Sequence, residues 1–339
     1  MTVARRIGRP ALPGPSEIAT TVSASPRSPV TVSFLGVSTV LFDDGESAIL
    51  TDGFFSRPSL PKTLVLRLHS DTRRIDAALR RAGITTLDAV LCAHSHYDHA
   101  LDSAAVALRT GAVLVGGSST GFIGQGSDLP DDRIVVVENG ETTTQGNFAV
   151  TFVESVHSKP DRAHGTIDRP LKQPARVREY RCGEAWSMHI EHGPSGRTAL
   201  VHSSAGFRSG MLDGRHADVV YLSIGQLGRR PHAFIEQYWQ ETVVAVGARR
   251  VVLTHWDNFF RSLDQPLQAL AYAFDDMSAS IDVLNGCARR DGVDLELPTL
   301  WRRADPWAER GRVTDQPVRP SIDSTIVRAH NSGSSIIGT

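Results

Sequence analysis

The sequence has few cysteines and no long apolar run, and both shortages restrict the class of protein that it can encode. Its three cysteines are Cys92, Cys182 and Cys287, which are widely spaced and form no CxxC pair. This pattern argues against a disulfide framework and favours a reduced, cytoplasmic setting. No segment approaches the roughly eighteen apolar residues that a membrane span requires. The N-terminal region also lacks the apolar middle of a signal peptide, so we expect no export.

The charge is balanced, which argues against two classes of partner. The 36 basic and 37 acidic residues give a net charge of −1, and neither sign gathers into a stripe or block. A nucleic acid or an anionic membrane is therefore not an expected partner. Only Lys62, Lys159 and Lys172 are lysines, so arginine supplies almost all the positive charge.

Composition and hydrophobic patterning divide the 339 residues into three regions. Residues 1–29 are rich in Pro, Ser, Thr and Arg without periodicity and predict a mobile, disordered tail. Residues 30–301 alternate predicted strands with predicted helices, the last helix at about 267–278. That order favours one α/β domain with two sheets inside and helices outside. Residues 302–339 are polar and predict a second disordered tail.

One short stretch concentrates the residues that can bind metal ions. His94-Ser95-His96-Tyr97-Asp98-His99 directly follows the apolar run at 87–93, which predicts a buried strand. A spacing of two on extended backbone points His94 and His96 to the same side, where both can hold one ion. Asp98 and His99 can begin a second ion site. The alternative is a polar loop that is merely rich in histidine, but a strand followed by such a cluster is typical of a catalytic metal loop.

Four ligands in one loop cannot complete two ion sites, so other histidines at strand ends are candidates. His157 follows the alternating strand at 150–153, and His255 directly follows the strand at 251–254. Loops that gather at one edge of a sheet are where functional residues usually lie. The irregular segment 158–184 is long enough to border a pocket, which makes Asp161 and His164 candidate pocket residues.

On these residues the chain resembles the metallo-β-lactamase fold superfamily, whose mark is an HxHxDH loop after a strand. The resemblance covers roughly residues 30–300 and includes the hairpin ending in Thr51-Asp52-Gly53-Phe54-Phe55 and the segment Thr254-His255-Trp256-Asp257-Asn258-Phe259. Within the superfamily, the details resemble most the branch that contains ascorbate-6-phosphate lactonase.

The resemblance implies a four-layer αββα sandwich with two metal positions on one edge. His94, His96 and His157 would hold the first ion, and Asp98, His99 and His255 the second. Asp52 resembles the carboxylate that braces the metal loop. The other interpretation of Asp52 is an ordinary turn residue before Gly53.

The sequence departs from the superfamily at the aspartate that usually bridges the two ions. In Leu200-Val201-His202-Ser203-Ser204-Ala205-Gly206, an alignment on Gly206 places Ser204 where that aspartate is expected. A serine hydroxyl is neutral and a poor bridge, so the number of ions becomes uncertain. His202 is a candidate replacement ligand, although a strand residue can equally point into the core.

Two functions follow from this pattern. The first is a hydrolase in which a metal-bound hydroxide attacks a small ester, lactone or phosphodiester, with Asp98 also carrying a proton. The second is a metal-binding sensor or scaffold without turnover, which the loss of the bridging aspartate favours. Zinc is the expected metal, as one or two ions, with manganese or iron as alternatives. A small molecule is the expected partner, and the oligomeric state is not readable from the sequence.

Overall fold

The computed structural model describes residues 7–20, 23, 25 and 28–308. In this part of the chain the strands are β1 (Ala19–Thr20), β2 (Thr31–Phe34), β3 (Val40–Asp43), β4 (Ala48–Thr51), β5 (Arg67–Leu68), β6 (Ala89–Leu91), β7 (Val113–Gly116), β8 (Ile134–Val136), β9 (Thr142–Gln145), β10 (Phe148–Glu154), β11 (Ala175–Arg176), β12 (Trp186–His192), β13 (Arg197–His202), β14 (Val219–Ser223), β15 (Arg250–Thr254), β16 (Asp294–Leu297) and β17 (Arg303–Ala304). The α-helices are α1 (Leu60–Val65), α2 (Thr72–Ala82), α3 (Tyr97–Ala100), α4 (Ser103–Thr110), α5 (Ser118–Gly126), α6 (His232–Trp239) and α7 (Met277–Asp291), and a π-helical turn at Gln240–Val244 extends α6.

The described strands form two large sheets. One has the order β1-β16-β15-β14-β13-β12-β10-β9 and the other the order β17-β2-β3-β4-β6-β7-β8, while β5 and β11 pair separately. The strands β4, β6, β7 and β8 run parallel, as do β13, β14, β15 and β16. Two antiparallel pairings, β10 with β12 and β12 with β13, give β10 the same direction as β14 and β15. The ends of β10 and β15 therefore meet at one edge of their sheet.

Three apolar clusters define the layers. The middle cluster joins side chains of both sheets, such as Phe42 and Leu91 from one and Phe152 and Tyr221 from the other. A second cluster packs α6 and α7 on the outer face of the β10–β16 sheet. A third packs α2, α4 and α5 on the outer face of the β2–β8 sheet. The predicted αββα sandwich is confirmed.

Local sequence explains where the outer helices begin and end. Asp71 precedes α2 and its side chain accepts a hydrogen bond from the Arg74 backbone N–H at 3.2 Å. Gly83 ends the helix in a left-handed conformation with φ of 72°, which glycine adopts without a steric penalty. Between these caps Ile75 and Leu79 are buried, as the one-turn spacing predicts.

The predicted last helix at 267–278 is wrong. Residues 277–291 form α7 instead, because Asp276 caps that helix by accepting from the Ala279 backbone N–H at 3.3 Å. The preceding segment uses its backbone groups elsewhere: the Tyr272 N–H donates to the Gly8 carbonyl and the Gln268 carbonyl accepts from the Asn258 N–H. Tertiary hydrogen bonds therefore override an apolar spacing that suits a helix.

The structure describes parts of both predicted tails. Ala19 and Thr20 form β1 at the edge of a sheet, and Ile18 is buried against the β10–β16 sheet. After residue 301, β17 pairs with β2, and the Trp307 indole donates to the Thr198 carbonyl at 3.0 Å. Each segment therefore contributes a buried apolar side chain or strand hydrogen bonds, which its composition does not indicate. Residues 1–6 and 309–339 lie outside the described residues. Among the residues described, no helix is both long and apolar enough to cross a membrane.

Candidate metal centre

The first group of potential ligands joins both sheets at one edge of the sandwich. His94 and His96 follow β6, and His157 follows β10. The Nδ1 atom of His96 lies 3.1 Å from the Nε2 atom of His157, and the His94 ring centroid lies 4.9 Å and 4.8 Å from those of His96 and His157. The predicted first set of three imidazoles is brought together.

The second group lies beside the first. Asp98 and His99 are in α3, and His255 directly follows β15. The two Nε2 atoms of His99 and His255 are 3.2 Å apart. One carboxylate oxygen of Asp98 lies 3.5 Å from the His255 Nε2 and 3.9 Å from the His99 Nε2. The rings of His94 and His99, with centroids 3.8 Å apart, connect the two groups.

The donor atoms fit divalent metal ions. Both ring nitrogens of His94 are buried, and neither has a hydrogen-bond partner among the described residues. An unpaired buried nitrogen is costly unless another group satisfies it. Two nitrogens that share a tetrahedral ion at about 2.0–2.1 Å lie about 3.3 Å apart, close to the separations of 3.1 and 3.2 Å found here.

Burial and neighbouring charges set protonation states that suit metal binding. Burial and the other imidazoles hold the pKa of His94 well below its usual range. Burial and the adjacent His96 lower the pKa of His157 to about 4. Burial alone would raise the pKa of Asp98, but the hydrogen bond from His255 and the nearby imidazoles lower it below its usual range. At neutral pH His94 and His157 are neutral imidazoles and Asp98 is an ionised carboxylate, the forms that bind metals. Burial alone would lower the pKa of His255, but the adjacent Asp98 carboxylate raises it.

One buried carboxylate braces the second group. Asp52 follows β4, and its Oδ2 accepts from the His99 Nδ1 at 2.7 Å while its Oδ1 accepts from the Ala93 backbone N–H at 2.9 Å. The contact fixes the His99 tautomer so that Nε2 is free to face His255. The bracing role of Asp52 stays a prediction, and its contact with His99 is the observation that supports it.

A second carboxylate has the same relation to the first group. Asp161 in the long loop places its Oδ1 3.2 Å from the His96 Nε2, the nitrogen that faces away from His157. Sequence reasoning identified Asp161 only as a pocket candidate, because nothing in a 158–184 loop shows which strand end it folds back to. Cys182 also approaches His96 and Asp161, but burial raises the pKa of its thiol to about 12, so the thiolate form is disfavoured.

Strained backbone surrounds the two groups. Val37, Asp52, Arg57 and His255 have positive φ angles of 53°, 56°, 42° and 57°, which are unusual for residues other than glycine and cost about 1–3 kcal/mol each. Hydrogen bonds hold them: the His255 N–H donates to the Val37 carbonyl at 2.7 Å, and the Val37 N–H donates to the Asp257 carboxylate at 2.8 Å. Such strain persists where the surrounding structure fixes it, most often at functional sites.

The residues near the predicted bridge position have structural partners. The Ser204 hydroxyl accepts from the Ser158 backbone N–H at 2.9 Å and so ties down the loop that carries His157. His202 uses both ring nitrogens, one with the Ser187 hydroxyl at 2.7 Å and one donating to the Gly206 carbonyl at 2.8 Å. His202 therefore joins neither ligand group, and its role as a replacement ligand is not supported. The side chain of His164 is 91% exposed and forms only a peripheral contact with Asp161.

Comparison with known proteins supports the resemblance. Residues 32–171 match the family model described as "Metallo-beta-lactamase superfamily". The chain is 30% identical over 141 residues to a UPF0173 metal-dependent hydrolase of Rhizobium etli, an alignment that covers 41% of this chain and 53% of the relative. It thus spans about half the length of the curated relatives it matches.

Solved structures of similar architecture include one whose TM-score of 0.50 indicates a shared fold. A possible metal-dependent hydrolase from Veillonella parvula aligns with a TM-score of 0.50 at 10% identity, covering 81% of this chain and 98% of that one. The metallo-beta-lactamase fold protein YhfI from Bacillus subtilis aligns with a TM-score of 0.46 at 16% identity, covering 81% and 97%. The match of residues 32–171 to the family model, together with the Rhizobium relative, confirms the predicted resemblance to the metallo-β-lactamase superfamily. Its lactonase branch stays a prediction.

Proposed function

We propose that this protein is a metal-dependent hydrolase that acts on a small ester, lactone or phosphodiester. The observation that supports this most is the pair of adjacent three-ligand groups, in which His94 is buried with both ring nitrogens unpartnered among the described residues. The name of the Rhizobium relative, a metal-dependent hydrolase, agrees with the proposal. The lactonase-like branch makes a lactone or other cyclic ester the first substrate class to test.

We assign His94, His96 and His157 to a first metal position and Asp98, His99 and His255 to a second. Nitrogen and carboxylate donors suit zinc best, with manganese or iron as alternatives. Bound ions would lower the pKa of a water molecule and polarise the substrate oxygen. Burial keeps the imidazoles of His94 and His157 neutral, and Asp52 orients the ring of His99.

Asp98 has a proton-handling role in this proposal. Its carboxylate is ionised at neutral pH and lies 3.5 Å from the His255 Nε2. It can accept a proton released at the centre and return it to the leaving group, as a carboxylate in such a position does. We place the reaction in the cytoplasm, with a small molecule as the only expected partner and no role for nucleic acid.

A metal-binding protein without turnover is the second candidate, and Ser204 is the observation that favours it. In place of a carboxylate, Ser204 offers a neutral hydroxyl that already accepts from the Ser158 N–H. The centre therefore has one negative charge fewer than a bridged pair of ions would have. Fewer negative ligands weaken the binding of two adjacent cations.

Metal content and hydrolysis measured together separate these functions. Elemental analysis would be done on the wild type, His96→Ala and Ser204→Asp, with His216→Ala as a control because that side chain is 66% exposed. Each protein would then be tested on lactone, ester and phosphodiester substrates with and without a chelator. Metal that is lost in His96→Ala, with chelator-sensitive activity, supports the hydrolase. Bound metal without activity supports the second function, and an absence of metal from every protein refutes both.

A further inference from the structure

A strongly basic cleft lies outside the two ligand groups. It has a volume of about 540 Å³, and none of the six proposed metal ligands lines it. Cationic side chains reach it from five separate segments: the N-terminal Arg9, Lys62 of α1, Arg67 of β5, Arg74 of α2 and Arg261 of the loop after β15. We propose that this cleft binds a small anion that carries at least two oxyanion groups, such as phosphates.

Some of the positive charge in the cleft is already compensated. Arg74 lies 3.5 Å from Asp71, the one carboxylate in the lining, and Arg67 lies 3.4 Å from Glu179. Both contacts are long and largely exposed, so they stabilise the charges only weakly. The buried guanidinium of Arg57 forms an ion pair with Asp257 at the wall of the cleft.

Three cations keep no carboxylate partner within the described ranges. Arg9 and Arg261 each donate to a backbone carbonyl, that of Ala269 at 2.9 Å and that of Pro266 at 3.2 Å. The exposed Lys62 ammonium has no hydrogen-bond or ion-pair partner among residues 7–20, 23, 25 and 28–308. Cations brought together without counter-charges repel one another, and an anion between them relieves that repulsion.

The arrangement of these cations favours an anion with more than one charged group. Because they come from separate segments around a cleft of about 540 Å³, an anion with two charged groups can pair with more of them than a single small oxyanion can. Guanidinium and ammonium groups both pair well with phosphate oxygens. Leu66 and Phe260 also line the cleft and can contact the carbon skeleton of an organic ligand.

The cleft and the candidate metal centre share one loop but no ligand residue. Asn258 and Arg261 belong to the loop that begins at His255. The Arg57 guanidinium also donates to the Asn258 carbonyl at 3.0 Å, so it links the wall of the cleft to that loop. The loop that begins at His255 therefore connects the candidate centre to the wall of the cleft.

Calorimetric titration of the full-length protein with inorganic pyrophosphate tests the proposal, with citrate as a carboxylate probe. The variant Lys62→Gln/Arg261→Gln removes two of the unpaired cations. The control variant Arg80→Gln/Arg249→Gln removes two exposed charges outside the cleft. Because pyrophosphate also binds metal ions, the titration is repeated on His96→Ala. Lys62→Gln alone is a milder variant, since the exposed side chain has no structural contact to lose.

We expect one pyrophosphate per chain, with the Kd raised about tenfold or more in Lys62→Gln/Arg261→Gln. The Kd should stay unchanged in the control variant and in His96→Ala, and binding should weaken with added salt. Tighter binding of pyrophosphate than of citrate would identify phosphate groups as the preferred ligand chemistry, and the reverse would identify carboxylates. Binding that survives in Lys62→Gln/Arg261→Gln but disappears in His96→Ala would overturn the proposal, as would no binding or an equal loss in the control variant.

Discussion

Replacing Asp161 or Asp52 with asparagine should weaken metal binding, each at a different one of the two proposed metal positions. Asp161 faces the His96 nitrogen that points away from His157, and Asp52 faces the His99 nitrogen that points away from His255. Each carboxylate therefore acts on one position only. We expect Asp161→Asn to lower the metal affinity of the first position and Asp52→Asn to lower that of the second.

The two effects should differ in size because the contacts differ. Loss of a carboxylate that orients a metal-binding histidine typically costs about 10- to 100-fold in affinity. The Asp161 contact is 3.2 Å long with a side chain 15% exposed, so we expect about tenfold, or ~1.4 kcal/mol. The Asp52 contact is 2.7 Å long and fully buried, so we expect about a hundredfold, or ~2.7 kcal/mol. The Ala93 N–H also holds one oxygen of residue 52, which would direct an asparagine NH₂ group at His99.

Competition with a chelator measures the metal affinity of each position separately when the other position lacks a ligand. The His255→Ala background retains the complete first group, and the His157→Ala background retains the complete second group. Asp168→Asn is the matched control, because Asp168 is an exposed carboxylate in the same loop as Asp161. An Asp161→Asn change that leaves the first position unaltered, or that weakens both positions equally, would refute the bracing role.

Three other substitutions test the surroundings of the centre. Ser204→Ala should lower the free energy of unfolding by about 1–3 kcal/mol, measured in urea, and weaken the first position, because a backbone N–H in the His157 loop loses its acceptor. Burial lowers the pKa of His202 from 6.5 to about 4, so only the unfolded chain gains this proton as the pH falls from 6.5, and stability should drop by up to ~3 kcal/mol by pH 4. His202→Asn should show a shallower decline, and an equal decline would contradict this. Arg57→Ala should cost about 3–5 kcal/mol because it leaves Asp257 buried without its partner, and a loss below about 1 kcal/mol would argue against that pair.

The sandwich and the six proposed ligands were predictable because the signals are local. An apolar strand followed by His94–His99 needs no knowledge of distant contacts. His157 and His255 each follow a strand with a clear pattern, and parallel strands bring such ends to one edge. The likeness to a known superfamily then indicated how these residues divide between two groups.

Features that depend on tertiary contacts were missed. The contact of Asp161 with His96 requires a long loop to fold back on that histidine. The loop has no periodic pattern from which this could be predicted. His202 lies on a strand next to the predicted bridge position, so its two hydrogen bonds could not be foreseen from spacing. The start of α7 at Met277 depends on Asp276 being available as a cap, while the segment before it bonds to the N-terminal region.

Each proposed metal position draws its ligands from both sheets, and this has a mechanical consequence. His94, His96, Asp98 and His99 follow a strand of one sheet, whereas His157 and His255 follow strands of the other. An ion in either position would cross-link the two sheets at that edge. Removing the ions would then loosen the edge of both sheets together, with faster amide hydrogen exchange near the ends of β6, β10 and β15 and little change at the opposite edge.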